Sequence, residues 1–356
     1  MRLNRRAFVA GALAAPLMSR MAFAQDGKAP LALELVQNHP SYQPSESVFL
    51  WGVPRQLGWF EEEGVDLGLQ AVNGSTPALQ AVISNSAALA AISTDILMKA
   101  REQGGKVRSM FIHKTRSGWM LGVPPGSPLK SLSEFKGKRV GVSGLGSGAV
   151  NVLRLSFAEA GLQETDYSII PIGQGAAAVA ALESNNIDAL GFWESAFAQL
   201  ENAGSQFDYI PLPVRSRLAG LPICVTEEYL DKNRERLIGL MRCWAKAIVF
   251  TKANPDAALR LFVEAAPSAR PANIPMDQWM VESKRTLLAF MENVAHEADK
   301  PLGWHNPEQW RSTYEFYVAS GTLEGTVAPE DCYTNEFISE ANNFDIKAIQ
   351  DLAART

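Results

Sequence analysis

Ser147 and Glu194 are the residues whose setting offers chemistry beyond packing. Ser147 stands in Gly144-Leu145-Gly146-Ser147-Gly148-Ala149, between the apolar run 138–143 and a helical run, 150–160. A glycine-rich turn at a helix start aims backbone N–H groups, here joined by a hydroxyl, at one point, which suits an anion. The turn matches G-x-G-x-x-A, but a ribose-holding acid should then close the next strand, and that strand ends Pro171-Ile172-Gly173-Gln174. No Gly-Lys-Ser/Thr follows either, so it is not a nucleotide P-loop. Glu194 follows the strand 187–193. It could accept from an amine or hydroxyl of a ligand, or simply favour the dipole of the helix it opens.

The elements that must position these residues repeat. Strand 138–143, glycine turn, helix, strand 168–172, glycine turn 173–175 containing Gln174, helix 176–182 and strand 187–193 follow in order. That alternation means a parallel sheet with crossover helices, whose ligands sit beyond the carboxyl ends of the strands. The earlier part has the same grammar. Strand 31–36 ends in a polar loop carrying His39. Ser75-Thr76-Pro77 opens a helix, with Thr76 expected at the cap and Pro77 at the first position. Strand 88–92 runs into Ser93-Thr94-Asp95, which opens another helix. Capping accounts for Ser75, Thr76 and Thr94 one by one as well as ligand binding does.

Residues 1–24 carry Arg5-Arg6, an apolar stretch and Ala22-Phe23-Ala24, the form of an export signal of twin-arginine type with a small-residue cleavage site. An ordinary secretory signal with two arginines reads the same way. The apolar stretch is shorter than the ~20 residues of a membrane-spanning helix. Without that segment and its four arginines the net charge moves from −5 to −9, which argues against nucleic-acid binding. Some 332 of the 356 residues remain, more than one core usually organises, so two lobes are expected. Cys224, Cys243 and Cys332 lack metal-site spacing and are expected as buried thiols. His39, His113, His296 and His305 form no H-E-x-x-H pattern. His113 could be core or cleft, while His296 and His305 read as surface. No cofactor is implied.

The stretches GWFEEEGVDLGL (58–69), NGSTPALQAVIS (73–84), VPPGSPLKSLSEFKGKRVGVSGLGSGA (123–149), GQGAAAVAALESNNIDALGFWESAFAQLE (173–201) and RLIGLMRCWAKAIVFTKANPDAALRLF (236–262) resemble the nitrate/sulfonate/taurine-type periplasmic substrate-binding proteins of ABC importers. The likeness spans the chain after residue 24. It implies an α/β fold of two lobes, the type II periplasmic-binding-protein fold, each lobe a mainly parallel sheet flanked by helices, joined by two hinge crossings. Residues 25–118 with 221–356 would form one lobe and 119–220 the other. The resemblance implies capture of a small molecule by lobe closure without catalysis, and delivery to a permease with ATPase subunits at the inner membrane. The expected protein is periplasmic and monomeric.

Relatives in this superfamily bind sulfonates, nitrate, carboxylates, pyrimidine precursors and flavin-like molecules. The fungal thiamine-pyrimidine synthases among them carry a cysteine-rich iron motif that this chain lacks. The expected ligand is a small organic anion, with a pyrimidine or flavin-like vitamin precursor as the alternative and a nucleotide-dependent enzyme as a third reading. The anionic head would dock on Ser147, Gly148 and Ala149. Ser75, Thr76, Thr94, His39 and Gln174 would add polar contacts, Trp119 and Trp193 an aromatic wall, and Glu194 an acceptor. Arg116 and Arg215 stand close to the two crossings, where either could meet an anion.

Overall fold

The computed structural model describes residues 29–39, 41–72, 74–294 and 299–356. The expected export signal and His296 lie outside the described residues. The first half of the chain runs β1 (Leu31–Gln37), a π-turn at Val48–Gly52, α1 (Val53–Gln56), α2 (Trp59–Glu62), β2 (Val65–Ala71), α3 (Ser75–Ile83), β3 (Leu89–Ala91), α4 (Thr94–Glu102) and β4 (Val107–Lys114). Then come β5 (Trp119–Val123), β6 (Arg139–Val142), α5 (Gly148–Glu159), β7 (Ser168–Pro171), α6 (Ala176–Glu183), β8 (Ala189–Trp193), α7 (Glu194–Asn202) and β9 (Asp208–Ile210). The chain returns through β10 (Leu221–Thr226) to α8 (Glu227–Lys232), α9 (Arg234–Ala253), α10 (Pro255–Ala265), α11 (Met276–Met291), α12 (Pro307–Ala319), α13 (Ile338–Ala341) and α14 (Ile346–Arg355).

Two five-stranded sheets result, ordered β2-β1-β3-β10-β4 and β7-β6-β8-β5-β9. In the first, β1 pairs in parallel with β2 and β3, and β10 runs antiparallel to β3 and β4. In the second, β6 pairs in parallel with β7 and β8, and β5 runs antiparallel to β8 and β9. Each sheet thus takes as its antiparallel fourth strand the one that has just crossed from the other sheet. This is the two-lobed α/β fold expected, with the carboxyl ends of β1, β3, β6 and β8 bearing the residues singled out above.

Burial explains the strand composition. β3 and the middle of β8 are enclosed on both faces, so they read as small and apolar residues, not as an alternation. One core packs Phe49, Trp244 and Phe262 against the first sheet, and the Trp244 indole N–H donates to Leu50 O at 2.8 Å. A second core is continuous from Leu79 and Leu97, through Leu121 and Val140, to Phe157 and Trp310. It therefore joins both sheets. α9 and α10 pack on the first lobe, as expected of the late helices. α11 departs from that expectation. It lies on α7 of the second lobe, where the Asn202 amide donates to Glu282 O at 2.9 Å. α12 grips the second crossing, Thr313 Oγ1 accepting from Ala219 N at 2.8 Å. Among the described residues no helix is long and apolar enough to cross a membrane. The three cysteines are free and buried.

Candidate functional site

β1 ends in Gln37, Asn38 and His39. Gln37 is buried, its Oε1 accepting from Ser47 Oγ at 2.7 Å and its Nε2 donating to Ser41 O at 3.0 Å. Ser75 Oγ accepts from Asn38 Nδ2 and from Ser93 N, each at 3.0 Å. It clips the ends of β1 and β3 together and keeps its own proton to donate. Thr76 is exposed, and Gly74, not Thr76, stands at the cap of α3. Serine is turned to the strand ends here because two donors, the Asn38 side-chain amide and the Ser93 backbone N–H, converge on it.

His39 faces an acceptor with each ring nitrogen: Glu46 Oε1 at 2.6 Å from Nε2 and Ser41 O at 3.1 Å from Nδ1. Burial works against charge on the ring, but the Glu46 carboxylate outweighs it and raises the pKa above 6.5. Burial likewise opposes charge on Glu46, and the imidazolium nevertheless holds its carboxyl well below the usual range. His113 is the opposite case. It is buried between Phe49 and Phe290, its ring 12° from the plane of Phe290. Neither nitrogen has a partner, and burial pushes its pKa down to about 4, so the ring is neutral at pH 7.

Lys114 ends β4 and forms an ion pair with Glu194, the first residue of α7, across the two lobes. Both are buried, at 5% and 4% exposure, and the ammonium also sits 4.6 Å from the centre of the Phe290 ring. Burial pushes the Glu194 carboxyl upward although Lys114 pulls it down. Its second oxygen has no partner. Gly118 leaves the space this pair needs, since a Cβ there would collide with Glu194 Oε2 and Lys114 Nζ. The buried acid therefore serves the protein's own lysine with one oxygen, while the other is enclosed without a partner.

The second lobe brings the aromatic wall. Trp119 and Trp193 are cross-strand partners, their rings 5.9 Å apart and at 88°. Trp119 lies over Gly148, where a Cβ would stand 3.0 Å from its ring. Ser147 caps α5, its Oγ accepting from Ala149 N at 3.3 Å. That N–H is therefore engaged within the helix cap, and Ala149 itself is buried. Gln174 is exposed on its turn.

Thr94 is buried and donates to Ala219 O at 3.5 Å, so it is tied to the second crossing. Arg116 and Arg215 both reach the end of α11. Arg116 donates to Glu292 O at 2.7 Å, and Arg215 to Ser117 O at 3.2 Å and Asn293 Oδ1 at 3.5 Å. His305, read from the sequence as surface, is fully buried. It pairs with Ser109 Oγ at 2.6 Å and Asn335 Oδ1 at 3.0 Å, and it stacks on Tyr333. A polar network, not solvent, satisfies it.

Sequence reasoning missed Gln37, Asn38, Glu46 and Lys114. The readable signal was an ionisable residue closing an otherwise apolar strand, Met110-Phe111-Ile112-His113-Lys114. Together the structure supplies the buried ion pair of Lys114 with Glu194, the half-buried His39 bonded to Glu46, the Ser75 hydroxyl and a tryptophan pair. Among the described residues no group of acids, histidines and cysteines could hold a metal.

Residues 52–258 match the family model described as NMT1/THI5 like. The riboflavin-binding protein RibY of Chloroflexus aurantiacus is 25% identical over 301 residues, 84% of each chain. The periplasmic aliphatic sulphonate binding protein SsuA of Escherichia coli superposes with a TM-score of 0.65 at 17% identity, over 85% of this chain and 92% of its own. The desulfurization enzyme DSZB superposes at 0.58 and 15% identity, over 88% of this chain and 99% of its own. At those identities the structural likenesses speak for the fold.

Proposed function

The chain belongs to the NMT1/THI5-like family, and from that premise we propose that it is the solute-binding component of an ABC importer. Residues 25–118 with 221–356 form one lobe and 119–220 the other, and a small organic ligand is held between them. The mature protein is periplasmic and monomeric, is exported by the signal at residues 1–24, and hands its ligand to a membrane permease with its ATPase subunits.

One observation carries the reading of the ligand. The buried Lys114 ammonium at the strand ends already has the Glu194 carboxylate, and the half-buried His39 ring is bonded to Glu46. A compensated site offers no spare charge to an anion, since a buried net charge is costly unless paired. What remains is hydrogen bonding and aromatic surface: the Ser75 hydroxyl proton and the edge-on pair Trp119 and Trp193. That combination suits a planar heteroaromatic molecule of the pyrimidine or flavin type. The likeness to a riboflavin-binding protein supports this direction.

A second reading, a sulfonate or carboxylate, is favoured by the start of α5 with its serine cap and glycine turn, and by the sulphonate-binding neighbour.

Catalysis by a cysteine is disfavoured. Burial pushes the Cys224 and Cys332 thiols up to about 12 and raises Cys243 as well, and a protonated buried thiol is a poor nucleophile.

A thermal-shift screen decides between the readings. A ligand at a hundredfold excess over its Kd stabilises by about 2.7 kcal/mol. Riboflavin or hydroxymethylpyrimidine should raise the Tm, and taurine and alkyl sulfonates should not. Trp193→Ala should weaken the hit by at least about tenfold, the scale of one lost aromatic contact with its burial. Stabilisation by sulfonates alone would reverse the assignment.

A further inference from the structure

A cavity of about 250 Å³ lies near the crossings, at the carboxyl end of β4, with His113, Thr115 and Arg116 among its lining residues. It borders β4, the edge strand, whereas β1 and β3 lie beyond β10 in the strand order. Ile112 of β4 lines it, its N–H bonded to Gly303 O at 3.1 Å along that free edge. Both crossings reach it, the first through Arg116 and the second through Ser216, and Lys300 and Trp304 face them. No aspartate or glutamate is among its lining residues.

Cations gather beside it. Arg116, Lys252 and Arg215 gather at the end of α11, bonded to Glu292 O, Val294 O and the Asn293 side chain. Among the described residues none of the three has a carboxylate within ion-pair distance. Burial lowers the pKa of Lys252 and of Arg215, and the charge of Arg116 lowers both further, although Glu194 and Glu292 pull Arg215 the other way. The helix C-terminus carries only about half a negative charge, so it offsets part of this excess. Lys300 has one carboxylate, the exposed Asp299 at 3.4 Å, while its ammonium lies 5.1 Å from the Trp304 ring. The Asn293 amide nitrogen, buried at the same helix end, lacks an acceptor.

We propose that this cavity is a second binding site, separate from the cleft between the lobes, for a small monoanion with a compact apolar body, a benzoate-like carboxylate. The volume is below the ~300–1,000 Å³ of pockets that enclose drug-sized molecules, so only a small ligand fits. Arg116 presents a planar donor fork to the carboxylate, and Trp304 and Ile112 take the apolar body. The site differs from the cleft in the property that matters most. In the cleft Lys114 is paired with a buried protein carboxylate, whereas Arg116, which lines this cavity, has no carboxylate within ion-pair distance among the described residues.

The test titrates 4-fluorobenzoate and its neutral isostere 4-fluorobenzamide against the protein by fluorine NMR. Saturable binding of the acid is expected, tighter than the amide by at least about tenfold, the usual scale of a charge-assisted contact. Arg116→Gln should weaken the acid by a similar factor, and Lys300→Gln is the second charge variant should Arg116→Gln fail to fold. Ser216→Trp, which fills the cavity from the second crossing, should abolish binding. Trp193→Ala, in the cleft, should leave the affinity within about twofold, as distant sites behave independently. Equal binding of acid and amide, no saturation, or loss with Trp193→Ala but not with Ser216→Trp would each overturn the assignment.

Discussion

The two lobes share one strand order and use it differently. In the first lobe the strand ends carry ionisable and amide side chains, Gln37, His39 and Lys114, buried or half-buried and each tied to a protein partner. In the second lobe the corresponding ends carry glycine turns and tryptophans, with Gln174 exposed and Ser147 bonded only to its own helix. The first lobe therefore holds a fixed polar floor. The second presents surface that no protein group occupies. A binding cleft needs both, because rigid donors give orientation and open aromatic area gives affinity. Lys114–Glu194 is where the two meet, one partner from each lobe.

Breaking that meeting point should have the largest effect. Glu194→Ala leaves the Lys114 ammonium buried without its carboxylate, which costs about 3–5 kcal/mol. The expected result is a clear fall in the denaturant midpoint. Lys114→Met combined with Glu194→Leu should recover most of the loss, since two apolar residues of similar volume replace the pair. A change that touches only the open surface of the second lobe, Gln174→Ala on an exposed turn, should stay within about 0.5 kcal/mol. Equal losses from Glu194→Ala and Gln174→Ala would remove the contrast between a fixed floor and an open surface.

Acidification sharpens the comparison within the first lobe. His113 has its pKa depressed from 6.5 to about 4 by burial. Unfolding lets it take up a proton, so its contribution is complete above pH 6.5 and is lost as pH falls towards 4. The full shift corresponds to about 3 kcal/mol. The groups facing it are Glu46, which favours its protonation, and Lys114 and His39, which oppose it. His39 has the reverse sign. Its pKa is raised, so its contribution is complete below pH 6.5 and is lost as pH climbs through the raised value. Stability measured by urea unfolding should therefore peak near neutrality and fall on both sides. His113→Leu should flatten the acid limb, and His39→Gln the alkaline one. An acid limb unchanged in His113→Leu would mean that other groups control it.

These two regions were not equally legible in the sequence. The glycine turns, the strands on either side and the crossings could be read because each is local. A period of two or 3.6, a Gly at a turn and a Pro after it sit within a dozen residues. The parallel order followed from the alternation of strand and helix. The polar floor could not be read in this way. Lys114 and Glu194 are 80 residues apart, and only the fold makes one the partner of the other, whereas Glu46 lies seven residues from His39 with no regular period to announce the pairing. Glu194 was visible as a strand-end acid but looked available to a ligand, because nothing local to Trp193-Glu194-Ser195 announces Lys114. His305 was misread for a related reason. Its neighbours Trp304 and Asn306 suggest surface, yet Ser109 and Asn335 come from elsewhere to satisfy it. Ser147 lies between these cases. Its place at a helix start was legible, but whether its hydroxyl faced outward or back onto the helix was not.

Ser147→Ala should produce the smallest effect and settles that last point. As a cap, Ser147 Oγ accepts from Ala149 N at 3.3 Å, a long bond on a half-exposed residue. Loss of a serine cap costs about 0.5–2 kcal/mol, and this geometry belongs at the low end. The expected outcome is a small drop in Tm with ligand affinity almost unchanged, because the oxygen is engaged by the helix cap and the proposed contacts lie at Ser75 and the tryptophan pair. Gly148→Ala is the useful partner to it. A Cβ there would stand 3.0 Å from the Trp119 ring and displace the aromatic wall, so affinity should fall while the cap is retained. If instead Ser147→Ala lowered affinity more than Gly148→Ala did, the serine would belong to the ligand and not to the helix. The open half of the cleft would then include a polar anchor of its own.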